Sequence, residues 1–238
     1  MSAQEPWRIL VFGASGAIGA EICDRALARG WSVQGLARKA GEPGATSRLA
    51  FDPFEGPSLD EVLPADARFD AVVWAQGANL TDSVSDFDEE AHLALYRVNC
   101  LYVLRTLKSL LDGSRLRQGG ARLCVISSIW ETRARQTKLS YTVTKAAVGG
   151  LVRSAAIDLA ADGHLINGVL PGVLNTPMTY ANLSPEQLGR IEQATPFNRL
   201  PSVTTVADLV GFLASPENTS ISGQSLTVDL GFTNVRLL

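Results

Sequence analysis

Histidine, cysteine and methionine are scarce in this chain of 238 residues: it has two, three and two of them. Two histidines, His92 and His164, are too few for a ligand cluster. They are read as surface or capping residues, and no metal is expected. Three cysteines, Cys23, Cys100 and Cys124, are odd in number and widely spaced. They fit neither a disulfide framework nor a zinc site and suit a reducing compartment. No apolar run approaches the roughly 18 residues of a membrane span. The opening segment, MSAQEPWRIL, lacks a basic stretch followed by an apolar one, so a cytoplasmic protein is expected, with no membrane partner. Strong charge of one sign is also missing. A net charge of −3 gives no argument for nucleic acid as a partner. Internal repeats, linkers and low-complexity segments are absent. What is present is apolar content of 46%, enough for a sizeable core, and one domain over residues 1–238 is expected.

Short apolar runs alternate with helical patterns. RILVF (8–12), SVQGLA (32–37), SRLAFD (47–52), DAVVWA (70–75), RLCVIS (122–127), LINGVL (165–170) and SLTVDL (225–230) read as strands. Helices are expected from 17 to 30, from about 87 to 111, and from Tyr141 onward. This alternation implies βαβ units: an α/β, doubly wound, Rossmann-type fold with a mainly parallel seven-stranded sheet and helices on both faces. An irregular stretch at about 177–201 should contain a short helix, SPEQLGRIEQ, opened by a Ser184/Gln187 capping box with Pro185 in its first turn.

Three sites of chemistry stand out. The first is VFGASGAIGAEI, which joins the first strand to the first helix. Gly13, Gly16 and Gly19 permit a tight turn, close approach of a phosphate to backbone N–H groups, and close helix–strand packing. A tight turn and nothing more is the plain alternative. The second is the end of the second strand, GLARK. An acid here would bind the ribose hydroxyls of NAD. Ala37 followed by Arg38 and Lys39 suits the 2′-phosphate of NADP instead, unless the two are solvated surface cations. Asp52, at the end of the third strand, is placed to accept from an adenine amino group or simply to start a loop. The third is LSYTVTKAAVGG. Tyr141 and Lys145, four apart, share a helical face: either Tyr141 packs and Lys145 extends into water, or the cation favours the ionised phenol and makes Tyr141 an acid/base catalyst.

Ser128 follows the fifth strand and precedes Tyr141 by 13 residues. Asn99 lies in the long helix before that strand. Together with GASGAIG, YRVNCL, VISSI, YTVTK, VLPGVLNTPM and SISGQSLTVDLG, these residues make the chain resemble the short-chain dehydrogenase/reductase family, in its short, single-domain branch. The resemblance implies roles. Tyr141 would be the proton donor to a substrate carbonyl and Ser128 would hydrogen-bond the same oxygen. Lys145 would hold the nicotinamide ribose and tune the phenol, and Asn99 would anchor a relay water. Gly13, Ser15, Gly16, Ala17, Ile18, Gly19, Val173 and Gly77 would line the cofactor site, with Pro171 and Gly172 shaping the nicotinamide pocket and Thr176 near the carboxamide or the diphosphate. An NADP-dependent carbonyl reductase or alcohol dehydrogenase, 3-oxoacyl-reductase-like, is then expected, with NADP(H) preferred over NAD(H). The substrate would be a small carbonyl or alcohol compound. A homotetramer is implied, with a dimer as runner-up, through helices such as the one carrying Ala146, Ala147, Gly149, Gly150, Ala155 and Ala156.

Departures accompany the likeness. Phe12 stands where the family has threonine. The glycines run G-x-x-G-x-x-G, as in longer enzymes acting on nucleotide-linked sugars, which keeps an activated-sugar enzyme as an alternative. A non-catalytic NADP sensor is a third reading. The family's Asn-Asn-Ala-Gly is Trp74-Ala75-Gln76-Gly77 here, and its Asp-Gly-Gly is Asp229-Leu230-Gly231. Trp130 and Met178 are candidates for the substrate wall. Arg133, with Arg135 and Lys138, is a candidate for an anionic substrate, or these residues form a solvated loop face. Met178, Tyr180, Leu183 and Phe197 suit a lid at about 177–201.

Overall fold

The computed structural model of the chain describes residues 5–40, 47–176, 179, 180 and 183–235. Its strands are β1 (Arg8–Phe12), β2 (Ser32–Ala37), β3 (Ser47–Ala50), β4 (Ala71–Trp74), β5 (Arg122–Ile126), β6 (Leu165–Pro171) and β7 (Ser225–Val228). They form one sheet of 7 strands in the order β3-β2-β1-β4-β5-β6-β7. Every pairing is parallel, so the expected mainly parallel sheet is parallel throughout. The third strand is shorter than expected. It stops at Ala50, and Asp52 lies in the following turn, where Oδ1 accepts the Phe54 N–H at 2.9 Å.

Successive strand residues point to opposite faces, and both faces are apolar. Ile9 and Val11 of β1 and Val73 of β4 face α1 (Ala17–Ala28) and α7 (Val203–Leu213) through Ile22, Ala26, Val206 and Val210. Leu10, Phe12, Val72 and Leu123 face α2 (Leu59–Val62), α4 (Tyr102–Asp112) and α5 (Leu139–Asp158) through Leu59, Leu107, Leu110, Val148 and Val152. Each such fully buried side chain contributes roughly 1.5–3 kcal/mol. This two-sided burial makes the strands read as continuous apolar runs.

The expected long helix runs from Glu89 to Asp112 in three parts: α3 (Glu89–Tyr96), a π-helical turn (Arg97–Leu101) and α4. It starts later than Phe87 because Asp88 caps it, accepting the Ala91 N–H at 2.7 Å. The π turn widens the helix at Asn99 and directs that side chain inward, where it is 3% exposed. Such turns recur at functional sites. The short helix α6 (Pro185–Gln193) forms with the expected capping box of Ser184 and Gln187.

His164 is not a surface residue. It is buried, and Nδ1 accepts the Ala121 N–H at 2.8 Å, fastening the approach to β5 to the start of β6. Burial holds its pKa below the ordinary value. The three cysteines are buried and unpaired. Burial pushes Cys23 and Cys124 up to about 12 and Cys100 to about 11, which makes them poor nucleophiles. Among the described residues no helix is long and apolar enough to cross a membrane. Nor is any group of three or more His, Cys, Asp or Glu side chains placed to hold a metal ion among them.

Candidate active site

In an open parallel sheet the ligand crevice lies beyond the carboxyl ends of the strands, where the strand order reverses. Here that point falls between β1 and β4, and the loops after both strands flank it. Gly13 adopts φ +76°, and its N–H and that of Ala14 both donate to Leu36 O. A Cβ on Gly13 would lie 2.5 Å from the Gln76 backbone nitrogen, and one on Gly19 would lie 2.2 Å from Gly13 O. These two glycines are therefore demanded by packing. Gly16 is different: a Cβ there would meet nothing closer than 3.5 Å. Gly16 is also the N-cap of α1 and supplies no side-chain acceptor. The first-turn N–H groups of a helix have no intrahelical partner. The loop and helix end therefore form a cradle for an anion, facing a cavity lined by Gly16, Ala17 and Ile18. The residues present fit a pyrophosphate. Ser15 is exposed at the rim of this loop.

The same cavity, about 560 Å³, is lined by Gly77, Ser128, Trp130, Tyr141, Pro171, Gly172, Val173 and Thr176. Ser128 ends β5's following segment and caps the turn Ile129–Glu131; its Oγ accepts the Trp130 N–H at 3.3 Å. Among the described residues the hydroxyl proton of Ser128 has no acceptor, which leaves it available to a ligand. Tyr141 opens α5, with Lys145 one turn on. The Lys145 ammonium lies 5.6 Å from the Tyr141 ring centroid. It is 4% exposed and donates to Ile126 O at 3.2 Å. A Cβ on Gly77 would lie 3.7 Å from Lys145 Nζ and 3.4 Å from Asn99 Oδ1, so Gly77 leaves room directly above both.

Asn99 ties three elements together. Its Oδ1 accepts the Ala78 N–H at 2.9 Å, and Nδ2 donates to Ala78 O at 3.2 Å and Thr144 Oγ1 at 3.1 Å. Both amide protons are engaged, so any water here is held through an acceptor oxygen. Thr176 Oγ1 accepts the Thr179 N–H. Gly172 packs on Asp229, where a Cβ would meet Asp229 Cβ at 2.8 Å. Asp229 in turn accepts from Gly231 N, Thr233 N and Thr233 Oγ1, which holds the terminal segment against the site. Leu230, in the family's glycine position, takes φ +54°, a backbone region that costs a side chain roughly 1–2 kcal/mol.

Arg38 and Lys39 are exposed at the end of β2, beside buried Ala37. Asp52 spends one oxygen on its own turn. The charged loop is sorted by the structure. Lys138 is not a free cation: Nζ donates to Asn79 Oδ1, Leu80 O and Thr81 Oγ1 at 2.8–3.0 Å. It staples the loop after β4 to the start of α5. Burial and the nearby Arg135 charge hold its pKa below the usual lysine range. Arg133 donates to Asn234 Oδ1 at 3.2 Å. Met178 lies outside the described residues. Thr179, Leu183 and Gln187 line the cavity from the side of α6. Cavity size alone would have misled: a larger one, about 1290 Å³, lies at the opposite ends of the strands around Trp7, Arg117 and His164.

Sequence reading missed the π turn and the Lys138 staple. A helix's periodicity does not announce one extra residue in a turn. Lys138's partners lie 57 to 59 residues away in sequence.

Comparison with known proteins places the chain in a family of this fold. A family model described as Enoyl-(Acyl carrier protein) reductase matches residues 58–233. The chain is 29% identical over 242 residues to the 2-keto-3-deoxy-L-fuconate dehydrogenase of Xanthomonas campestris pv. campestris, covering 95% of this chain and 80% of that protein. It is 30% identical over 236 residues to the 3-oxoacyl-(acyl-carrier-protein) reductase FabG of Vibrio cholerae serotype O1, covering 93% and 95%. A solved short-chain type dehydrogenase/reductase from Mycobacterium ulcerans superposes with a TM-score of 0.86 at 26% identity, over 99% of this chain and 92% of that one.

Proposed function

Because this chain belongs to the short-chain dehydrogenase/reductase family, oxidoreductases of CH–OH or carbonyl groups, we propose that it is an NADP-dependent reductase of a small carbonyl compound, or the corresponding alcohol dehydrogenase. One observation carries the reading. Ser128 and Tyr141 line the same cavity as the anion cradle of α1, with Lys145 buried beside the phenol.

The bound nicotinamide would supply or accept a hydride. Everything else falls to the chain. A carbonyl carbon that gains a hydride leaves charge on its oxygen, and a donor already in place lowers that cost. Tyr141 gives that oxygen its proton. Ser128, whose hydroxyl proton has no acceptor among the described residues, holds the oxygen in line. Lys145 has one proton on Ile126 O and two left for the ribose hydroxyls and the phenol. Asn99 fixes the 78 backbone and α5 relative to each other, and so fixes the height of Lys145 under Gly77. Gly13, Gly16 and Gly19, with Ser15, Ala17 and Ile18, hold the pyrophosphate. Pro171, Gly172, Val173 and Thr176 wall the nicotinamide. Arg38, with Lys39 beside it, faces the 2′-phosphate, which is why NADP(H) is preferred. Asp52 lies toward the adenine.

Residues 1–238 act as one domain, with the stretch at about 177–201 as a lid over the cavity. The enzyme works in the cytoplasm as a homotetramer, or failing that a dimer. An outward stripe on α5, with Val143 46% and Ile157 78% exposed, and one along α3 and α4, with Leu93 56% and Leu104 44% exposed, suit contact with a second copy. Relatives named as a dehydrogenase and a reductase over nearly the whole chain favour this reading over a non-catalytic sensor. A panel of ketones and alcohols with NADPH, NADH and their oxidised forms, followed by the absorbance of reduced nicotinamide, tests it. Turnover of no carbonyl or alcohol would refute it.

A further inference from the structure

Beside the cavity at Tyr141 lies a second one of about 800 Å³, bounded by α6 and the segment 232–235. The two share Trp130, Arg135, Val173 and Gln187 as walls. Their charge is one-sided. Arg133, Arg135 and Arg190 line the second cavity, Arg135, Lys138 and the first cavity's other residues line the first, and no described lining residue of either is an Asp or Glu. Thr179 and Leu183, which also line the first cavity, carry no charge.

The cations differ in how they are used. Lys138 is consumed by the loop after β4. Arg190 is paired with Glu186 at 2.6 Å on the exposed side of α6, and Arg133 donates to Asn234 and to Thr132 O. Arg135 is half-buried, yet it makes no hydrogen bond or ion pair among the described residues. It also lies close enough to Lys138 for each charge to oppose the other. A guanidinium carries five donors, and withdrawing one from water without a counter-charge is unfavourable. An unpaired, half-buried guanidinium at the junction of two cavities whose described linings hold no acid, with a second cation nearby in the first, makes a place that an anion would stabilise.

We infer that Arg135 receives an oxyanion, carboxylate or phosphate, of the substrate itself. The substrate is thus a small anionic carbonyl compound whose carbonyl sits at Tyr141 and whose charged end passes Trp130 toward the second cavity. This rests on the reductase reading above. A planar fork suits such groups in a bidentate way that a lysine cannot reproduce.

The test compares charged ketones with neutral partners of the same skeleton: acetoacetate and levulinate, each beside its methyl ester, and dihydroxyacetone phosphate beside dihydroxyacetone. The expected result is a kcat/KM at least ~10-fold higher for one anion than for its neutral partner, as for a charge-assisted contact. That ratio should fall to about one in Arg135→Gln, recover in part in Arg135→Lys, and persist in Arg153→Gln, a change at an exposed arginine of α5. The carboxylate and phosphate arms tell the two anions apart. Turnover with ratios near one throughout would overturn the inference and leave the reductase reading standing, as would activity confined to acyl groups on a carrier protein. Absence of all turnover would count against the reductase reading. The anion site would then be judged by titrating glutarate and inorganic phosphate against tryptophan fluorescence. Saturable quenching lost in Arg135→Gln supports it, and equal response of both proteins overturns it.

Discussion

Phe12 and Trp74 face each other across neighbouring strands, in register, with ring centroids 5.8 Å apart and planes within 9° of parallel. These are two of the positions at which the chain departs from its family, and the structure makes them one feature. Trp74 donates Nε1–H to Thr106 Oγ1 at 2.7 Å, and Thr106 passes its own proton to Tyr102 O. Tyr102 meets Phe12 edge-on. An aromatic cluster thus joins β1, β4 and α4 directly below the cofactor cradle. Phe12→Thr and Trp74→Asn should each destabilise the protein by about 3–5 kcal/mol, as large core truncations do. In a double-mutant cycle read by urea denaturation, the pair should show coupling of about 0.5–1.5 kcal/mol. Strict additivity would mean that the stacking contributes nothing of its own.

Tyr141→Phe removes the phenolic proton and keeps the ring over which Lys145 lies. Its kcat should drop at least ~100-fold, with NADPH affinity by fluorescence titration close to that of the native protein. Turnover near the native rate would show that another group is the acid.

Arg38 is exposed, so the contact proposed for it with a 2′-phosphate would be screened by salt. Arg38→Ala should raise the KM for NADPH by about 10-fold, the lower end for a charge-assisted bond, and leave that for NADH nearly unchanged. The native preference should shrink as salt is raised. Equal use of both cofactors at low salt would remove Arg38 from the site.

His164 has a folded pKa below its ordinary value, because burial disfavours the charged ring. The unfolded chain therefore binds the proton first as pH falls. The stabilisation is complete above about pH 6.5 and is lost as pH drops through the folded pKa. His164→Asn offers an amide oxygen to the Ala121 N–H and cannot titrate. Melting temperatures compared from about pH 8 to about pH 5 should fall less steeply in this variant than in the native chain. Parallel slopes would assign the acid sensitivity to other groups.

Ile157 is 78% exposed on α5. If that face meets a second copy, Ile157→Asp buries a charge in the contact and should lower the mass seen by light scattering at micromolar concentration. A native protein that is monomeric there would contradict both the tetramer and the dimer.

The periodicity of the chain, taken alone, determined the class of fold. Strands buried on both faces, such as RILVF, need continuous apolar residues, and helices need their own repeat, so both patterns are written locally. The glycine loop was legible for the same reason: Gly13 and Gly19 answer to contacts with the turn and with the adjacent strand end. Spacing also marked Tyr141 and Lys145, because a helix brings residues four apart together. The rest was decided by tertiary structure. No local rule distinguishes Lys138, spent on residues 79–81, from Arg135, three residues earlier and without a partner among the described residues. Whether His164 lay on the surface or capped a backbone group was decided only when β5 and β6 closed around it. The compensation between Phe12 and Trp74 exists only because β1 and β4, 62 residues apart at that register, lie side by side. Such contacts depend on where distant segments meet, and that is set by the packing of the whole sheet.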